Sequence, residues 1–461
     1  MTHSSFSFSF PARRSLRLEE ELIERHKYKK NLAFQQIKSY TLKKELSRSM
    51  MNLMQPVMCQ DFLVQNAIYC GDLEAIKQLL PKGSNTNLII ESRGEELRWE
   101  SKKFGLWSLT YEQELTTPLH ITAGRGYVDC LKYLLMRGSD VELAPGGKTA
   151  LHEACLNARE ECAKLLLMYG ANPNAVTEDG YTPLHLCTKP ESLQCSTLLL
   201  QFGAAVNGSC LQDDETPLHV AASCGLEEHV DLYLRNGASI EKQNDEGQTP
   251  LHSACSEPHG TQDMQRYFNI CQKLVSAGAS IFTANQDMQT PLHMACKTVN
   301  PHIVDLLLQH GALVNKMSYG SETPLHIILK LACFNLDHCP EHIVRSLVNY
   351  GAIRVWPGAL PKVLHHCCQS PRIIEVLINT YDHVKITDTW IEAVVPEILQ
   401  KHQGFYDSLF DLANKPRSLQ HLVRCKLRVL LEGQIPLAVP KLGLPTYLQN
   451  YLLLTFQDYV H

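Results

Sequence analysis

No run of eighteen apolar residues occurs in this chain, so no segment reads as a helix able to cross a bilayer. Neither sign of charge is in large excess: 43 Lys and Arg against 48 Asp and Glu leave -5, too little for a bulk attraction to nucleic acid. The opening, MTHSSFSFSFPARRSLRLEEELIER, lacks the continuous apolar stretch of a secretory signal, and Glu19, Glu20 and Glu21 argue against a mitochondrial transit peptide. A Walker loop, a G-x-S-x-G elbow, an H-E-x-x-H pair and a dinucleotide glycine fingerprint are all missing, so the sequence gives no support for an enzyme or a cofactor. Cysteine is the exception to this scarcity. There are 17, an odd number with no signal ahead of them, which points to a reduced cytoplasmic compartment, with the nucleus also open. With 44% apolar and 20% charged residues, the composition is that of ordinary globular domains.

What is present is repetition. QTPLHSAC at Gln248–Cys255 returns as QTPLHMAC at Gln289–Cys296, and Thr-Pro-Leu-His or Thr-Ala-Leu-His begins at Thr117, Thr149, Thr182, Thr216, Thr249, Thr290 and Thr323. The steps are 32, 33, 34, 33, 41 and 33 residues. Thr before Pro is a helix start, the hydroxyl capping free N–H groups and Pro occupying the first helical position. Leu then faces the core. The small pairs Ala154-Cys155, Ala221-Ala222, Ala254-Cys255 and Ala295-Cys296 let neighbouring helices approach closely. Leu131, Leu134 and Leu135, or Leu165, Leu166 and Leu167, mark a second helix. Gly138, Gly170, Gly203, Gly237 and Gly311 each lie 18 residues past their His, where a left-handed cap is expected.

The two stretched copies, His252 to Gly278 and His326 to Gly351, carry their extra residues between cap and cap. Degenerate copies at Asn66–Gly83 and around Leu364-His365 bring the count to about nine, with atypical ends. Gly83 to Thr117 spans 34 residues, so 88–112 is an insertion, whose Trp99 and Trp107 either anchor a partner or pack on the first repeat.

Seven of the 21 histidines belong to the repeated tetrapeptide, where hydrogen bonding within and between turns is their expected role. Cys155, Cys255, Cys296 and Cys368 read as small core residues. Cys333 with His338, Cys339 and His342, and the run His365-His366-Cys367-Cys368, lack the spacing of a zinc site, so no metal is expected. The linkers before the tetrapeptides carry Glu178, Asp179, Asp213, Asp214, Asp245 and Glu246, which read either as an acidic row for a basic substrate or as turn residues. Ile121, Leu186, Val220, Met294 and Ile327, each following its His, read as core or as an apolar stripe in a groove. Residues 1–58 hold eleven Lys and Arg against five Glu and form a helix-prone basic extension.

The period near 33 with T-P-L-H at its head resembles the ankyrin repeat. Beyond a helical linker at 386–415, Ser418, Leu419, Val423 and Leu427 resemble the start of a SOCS box, with Val423 standing where that module's elongin-binding Cys is found. Leu442, Leu444, Pro445, Leu448 and Tyr451 resemble its cullin-5 box, with Gly443 in place of a Pro. Losing that ring's fixed φ is expected to weaken cullin engagement. An ankyrin stack at 59–385 followed by a SOCS box at 416–461 is similar to the ankyrin repeat and SOCS box family, and RRSLRLEEE, the tryptophan-bearing insertion and ESLQC at Glu191–Cys195 look most like one of its members.

The resemblance implies an all-α ankyrin-repeat solenoid, helix-turn-helix repeats with hairpin loops, followed by a small C-terminal helical SOCS box. It further implies a non-catalytic adapter of a ubiquitin ligase: the repeats capture an unknown protein substrate, and the SOCS box recruits elongin C with elongin B, then cullin-5 with its RING-box subunit. Neither nucleic acid nor membrane is among the implied partners. The alternative is an ankyrin scaffold outside any ligase, whose SOCS box only caps the stack.

Overall fold

In a computed structural model, described for residues 56–455 except 103–105, 257–259, 261, 262, 333, 335, 413–415 and 432, six of the seven tetrapeptide histidines bond into the following repeat, while the last, His326, is exposed and bonds Thr323. In the fourth full copy Thr216 sits in extended backbone, and its N–H and hydroxyl both donate to His219 Nδ1, at 3.1 and 2.8 Å. The hydrogen must then lie on Nε2, which donates to the carbonyl of Gln248 in the following repeat at 3.1 Å. His120, His152, His185, His252 and His293 make the same outward bond to Lys148, Tyr181, Glu215, Gln289 and Lys316. The tetrapeptide recurs because one His both starts its own helix and holds the next loop.

The chain divides into two compact units. In the first, up to Pro183, α1 (Phe62–Cys70) pairs with α2 (Leu73–Leu79), α3 (Pro118–Arg125) with α4 (Val128–Met136), and α5 (Ala150–Leu156) with α6 (Glu160–Met168). The inserted segment is a β-ribbon: β2 (Leu88–Lys102) runs antiparallel to β3 (Leu106–Thr116), four residues past the expected insertion. Ile90 faces Thr116 and Lys102 faces Leu106, with a register shift between Arg93 and Leu97. A two-residue β1 (Val57–Met58) joins β2 in parallel.

The second unit, from Leu184, begins with α7 (Leu193–Gln201). It continues through the pairs α8 (Pro217–Ser223) with α9 (Glu227–Arg235), α10 (Pro250–Ser256) with α11 (Met264–Ser276), and α12 (Pro291–Lys297) with α13 (Pro301–Gln309). The last pairs are α14 (Pro324–Leu331) with α15 (Pro340–Asn349) and α16 (Leu360–Cys367) with α17 (Pro371–Ile378). Then come α18 (Asp388–Glu392), α19 (Pro396–Lys401), α20 (Gln403–Asp411), α21 (Leu419–Leu430), α22 (Ile435–Ala438), a 3-10 turn at Val439–Leu442 and α23 (Thr446–Leu452). The extra residues of the 41-residue step lengthen α11 to 13 residues where its neighbours α9 and α13 have nine.

One copy departs from the expected pattern. Leu184–Leu186 forms only a turn, because Pro190 lacks an N–H and forces Lys189 into extended backbone, ending the segment before a helix can build. The core otherwise follows the spacing: the tetrapeptide leucines Leu119, Leu151, Leu184, Leu218, Leu251, Leu292 and Leu325 are buried, as are the small pairs behind them. Gly138, Gly170, Gly203, Gly237 and Gly311 all take positive φ, the conformation that ends their helices. Ile121, Met294 and Ile327 are buried, and Leu186 and Val220 half-buried.

Candidate functional site

The helix α21 is amphipathic in the opposite sense from a helix that docks by its apolar side. Ser418 caps it, its hydroxyl accepting from the N–H of His421 at 3.2 Å. The residues that face the rest of the second unit are polar: His421, Arg424, Cys425 and Arg428 are all at least nine-tenths buried. The apolar stripe points to solvent, with Leu419 81%, Val423 57% and Leu430 70% exposed. Only Leu427 turns inward, packing with Leu431, Leu444 and Leu453 on the small core of Ile435, Val439 and Leu452. A helix of a free-standing domain places its apolar stripe inside.

The buried charges rest on helix ends. Arg428 donates to Asn349 Oδ1 at 2.7 Å and to the carbonyl of Val348 at 3.5 Å, at the C-terminus of α15, and to the carbonyl of Leu452, the last residue of α23, at 2.6 Å. Arg424 reaches the carbonyl of Asn379, just past α17, at 3.5 Å. Carbonyls of the last helical turn and the negative end of the helix dipole suit a cation at both places. Burial lowers the pKa of Arg428 to about 10, so it stays charged at neutral pH. Burial also brings His421 down to about 4, leaving a neutral ring that accepts from Arg424 at Nδ1 (2.9 Å) and donates from Nε2 to the carbonyl of Tyr381 (2.8 Å). Cys425 lies on this inner face, its thiol pushed up by burial, and does not share the outward stripe with Val423.

The residues that resemble a cullin box lie just beyond α21, in the turn at Val439–Leu442 and in α23. Leu442 and Pro445 are exposed, and Leu444 and Leu448 half-buried. Tyr451 is engaged within the chain, its ring centroid 4.2 Å from the Arg424 guanidinium. Gly443 has φ +63°, a left-handed turn that closes Val439–Leu442. Proline cannot adopt that φ, so the turn here is built around a glycine and is not a proline turn with a residue missing.

The acidic residues divide between the units. In the first, Glu178 and Asp179 are exposed, and the Glu178 side chain packs against Gly147. In the second, hairpin tips are joined backbone to backbone: the N–H of Asp245 donates to the carbonyl of Asp213 (2.8 Å) and that of Gln286 to Glu246 (2.9 Å). Asp213 and Glu246 are exposed there, and Asp214 and Asp245 half-buried.

Of the Cys and His clusters, His342, Cys367 and Cys368 are held by partners within the fold, while Cys339 and His366 are exposed and His338 Nδ1 is buried without a partner. His342 bonds Asp305 at 2.6 Å, which raises its pKa; the Cys367 thiol donates to the carbonyl of Leu329, and that of Cys368 to His365. Among the described residues no three His, Cys, Asp or Glu side chains are grouped as metal ligands. Cys333 and residues 1–55 lie outside the described residues, and nothing is described of the side chains of Trp99 and Trp107. Sequence reasoning missed the buried Arg424 and Arg428; their spacing with His421 on one helix face, at steps of three and four, was the available signal.

Comparison with known families follows the same division. The model for ankyrin repeats (3 copies) matches residues 64–177, 167–244, 207–268 and 264–355, and the SOCS box model matches 415–453. Ankyrin repeat and SOCS box protein 16 of Homo sapiens, the member that RRSLRLEEE, the insertion and ESLQC look most like, is 38% identical over 98% of both chains. Protein 18 of Homo sapiens is 41% identical over 85% of each chain, and protein 10 of Mus musculus 48% over 86% of this chain and 87% of its own.

Proposed function

The chain belongs to the ankyrin repeat and SOCS box family, non-catalytic substrate adapters of cullin-RING ligases, and on that premise we propose that it joins an elongin B and C, cullin-5 and RING-box assembly. The observation that carries this reading is the outward apolar stripe of α21: Leu419, Val423 and Leu430 form a helix-in-groove ligand held ready by a polar inner face. Ser418 fixes where the helix begins, Leu427 links the stripe to the small core, and elongin C covers the stripe. Cullin-5 meets the segment of Leu442, Leu444, Pro445 and Leu448, with Tyr451 holding Arg424 behind it. The ankyrin repeats hold the substrate, a protein with a basic segment facing the hairpin acids in a cytoplasmic or nuclear setting, and the adapter acts by proximity alone.

A second reading has its own observation: α21 does cap the last repeats, through Arg424 and Arg428. A scaffold outside any ligase would need that inner face and no partner for the outer one. The test is co-purification of the full chain with elongins B and C, then titration with cullin-5. A stable elongin complex that Leu419→Asp abolishes supports the adapter; a chain that binds neither partner is the scaffold.

A further inference from the structure

In six repeats the residue two before the helix-ending glycine is exposed: Met136, Met168, Gln201, Arg235, Ser276 and Gln309. The residue at the same place before Gly351, Asn349, is only 6% exposed, because the SOCS box covers the end of α15. Both ends of its amide are used. Oδ1 accepts from Arg428 in α21, as described above, and Nδ2 donates to the carbonyl of Leu453, the residue after α23, at 2.9 Å. Arg428 holds the adjacent carbonyl, that of Leu452. Close by, a Cβ at Gly351 would lie 2.9 Å from the Gly433 Cα, so the stack and the SOCS box also touch backbone to backbone. One ankyrin side chain therefore joins α15, α21 and the end of α23.

The last carbonyls of a helix have no donor within it, so a donor placed against them fixes where that end lies. For α23 this matters more than usual. Leu444 and Leu453, on either side of it, pack on the small core of Ile435, Val439 and Leu452, and apolar contact has no direction of its own. Hydrogen bonds do have one. We infer that Asn349, a residue of the repeat stack, is a positioning residue for cullin-5: it holds α23 where Leu442, Leu444, Pro445 and Leu448 together meet the scaffold. The inference rests on the cullin-5 reading given above and extends it to a residue outside the SOCS box. Affinity for cullin-5 is then a property of the last ankyrin helices and the box together, and a box cut free of α15 lacks part of it.

The test is calorimetric titration of the full chain, already bound to elongins B and C, with cullin-5, for the wild type, Asn349→Asp and Asn349→Ala. The Asp carboxylate keeps an acceptor for Arg428 but has no donor for Leu453, so it separates position from fold. Its expected result is a thermal midpoint and an elongin C affinity close to the wild type's, with cullin-5 affinity lower by about tenfold. Asn349→Ala, which loses both bonds, is expected to lower cullin-5 affinity at least as far. Cullin-5 affinity unchanged in both variants overturns the inference and leaves the cullin-5 reading standing. Elongin and cullin affinities that fall together, in step with the thermal midpoint, also overturn it, because the bond would then serve only the fold. A wild-type elongin complex that does not bind cullin-5 overturns the reading on which the inference rests.

Discussion

The repeated histidines make single residues responsible for contact between neighbouring repeats, and they make that contact sensitive to acid. His120, His152, His185, His219 and His252 have pKa values lowered from 6.5 to about 4, chiefly because burial disfavours the imidazolium. The unfolded chain therefore binds protons between these values that the folded chain refuses. Their contribution to stability is full above about pH 6.5 and falls as the pH drops toward 4; a urea midpoint that stays constant from pH 7 to 5 would contradict this. His219→Leu leaves the Gln248 carbonyl and the Thr216 N–H unpaired, a loss of about 2–4 kcal/mol in chemical denaturation. This role was readable from the spacing of Thr and His alone. Gly443 was not, because a sequence shows which residue is absent but not the φ that replaces it. Gly443→Pro, which looks like restoration of the family pattern, is expected to destabilise the second unit by about 1–3 kcal/mol and to weaken cullin binding.

Among the elements, α21 and the β-ribbon were legible to different degrees. The apolar stripe of Leu419, Val423, Leu427 and Leu430 was plain from its period, but a period does not say which face is turned inward. Leu419→Asp should change the unfolding midpoint by no more than about 0.5 kcal/mol, since the side chain is 81% exposed, while reducing elongin C affinity at least about tenfold in a pull-down or titration. A matching loss of stability would mean that the stripe packs within the chain. The ribbon was seen only as an insertion, because the charges of Glu91 to Glu96 interrupt the alternation that resumes at Leu97, at the register shift itself. Replacing residues 98–110 by Asn-Gly keeps the Leu97 to Tyr111 pair in register and is expected to leave thermal unfolding of the repeats nearly unchanged. Where Pro190 reduced a tetrapeptide helix to a turn, the sequence did contain the reason, though the strength of the T-P-L-H signal hid it.

For the whole second unit, the SOCS box is an extension of the repeat stack held by two buried cations, and this was the least legible part. A lone Arg on a helix ordinarily reads as solvated, and nothing near Arg428 in sequence announces Asn349 or Val348, 79 and 80 residues away. Arg428→Met should strip Asn349 and Leu452 of their donor and cost about 2–4 kcal/mol, seen as faster hydrogen exchange across Thr446–Leu452. An orientation with charge inside and leucine outside also bears on how many copies a cell can keep. A chain made in excess of whatever covers Leu419 and Leu430 displays the kind of surface that chaperones retain and proteases clear, so its abundance should track its partner's supply and not its own rate of synthesis.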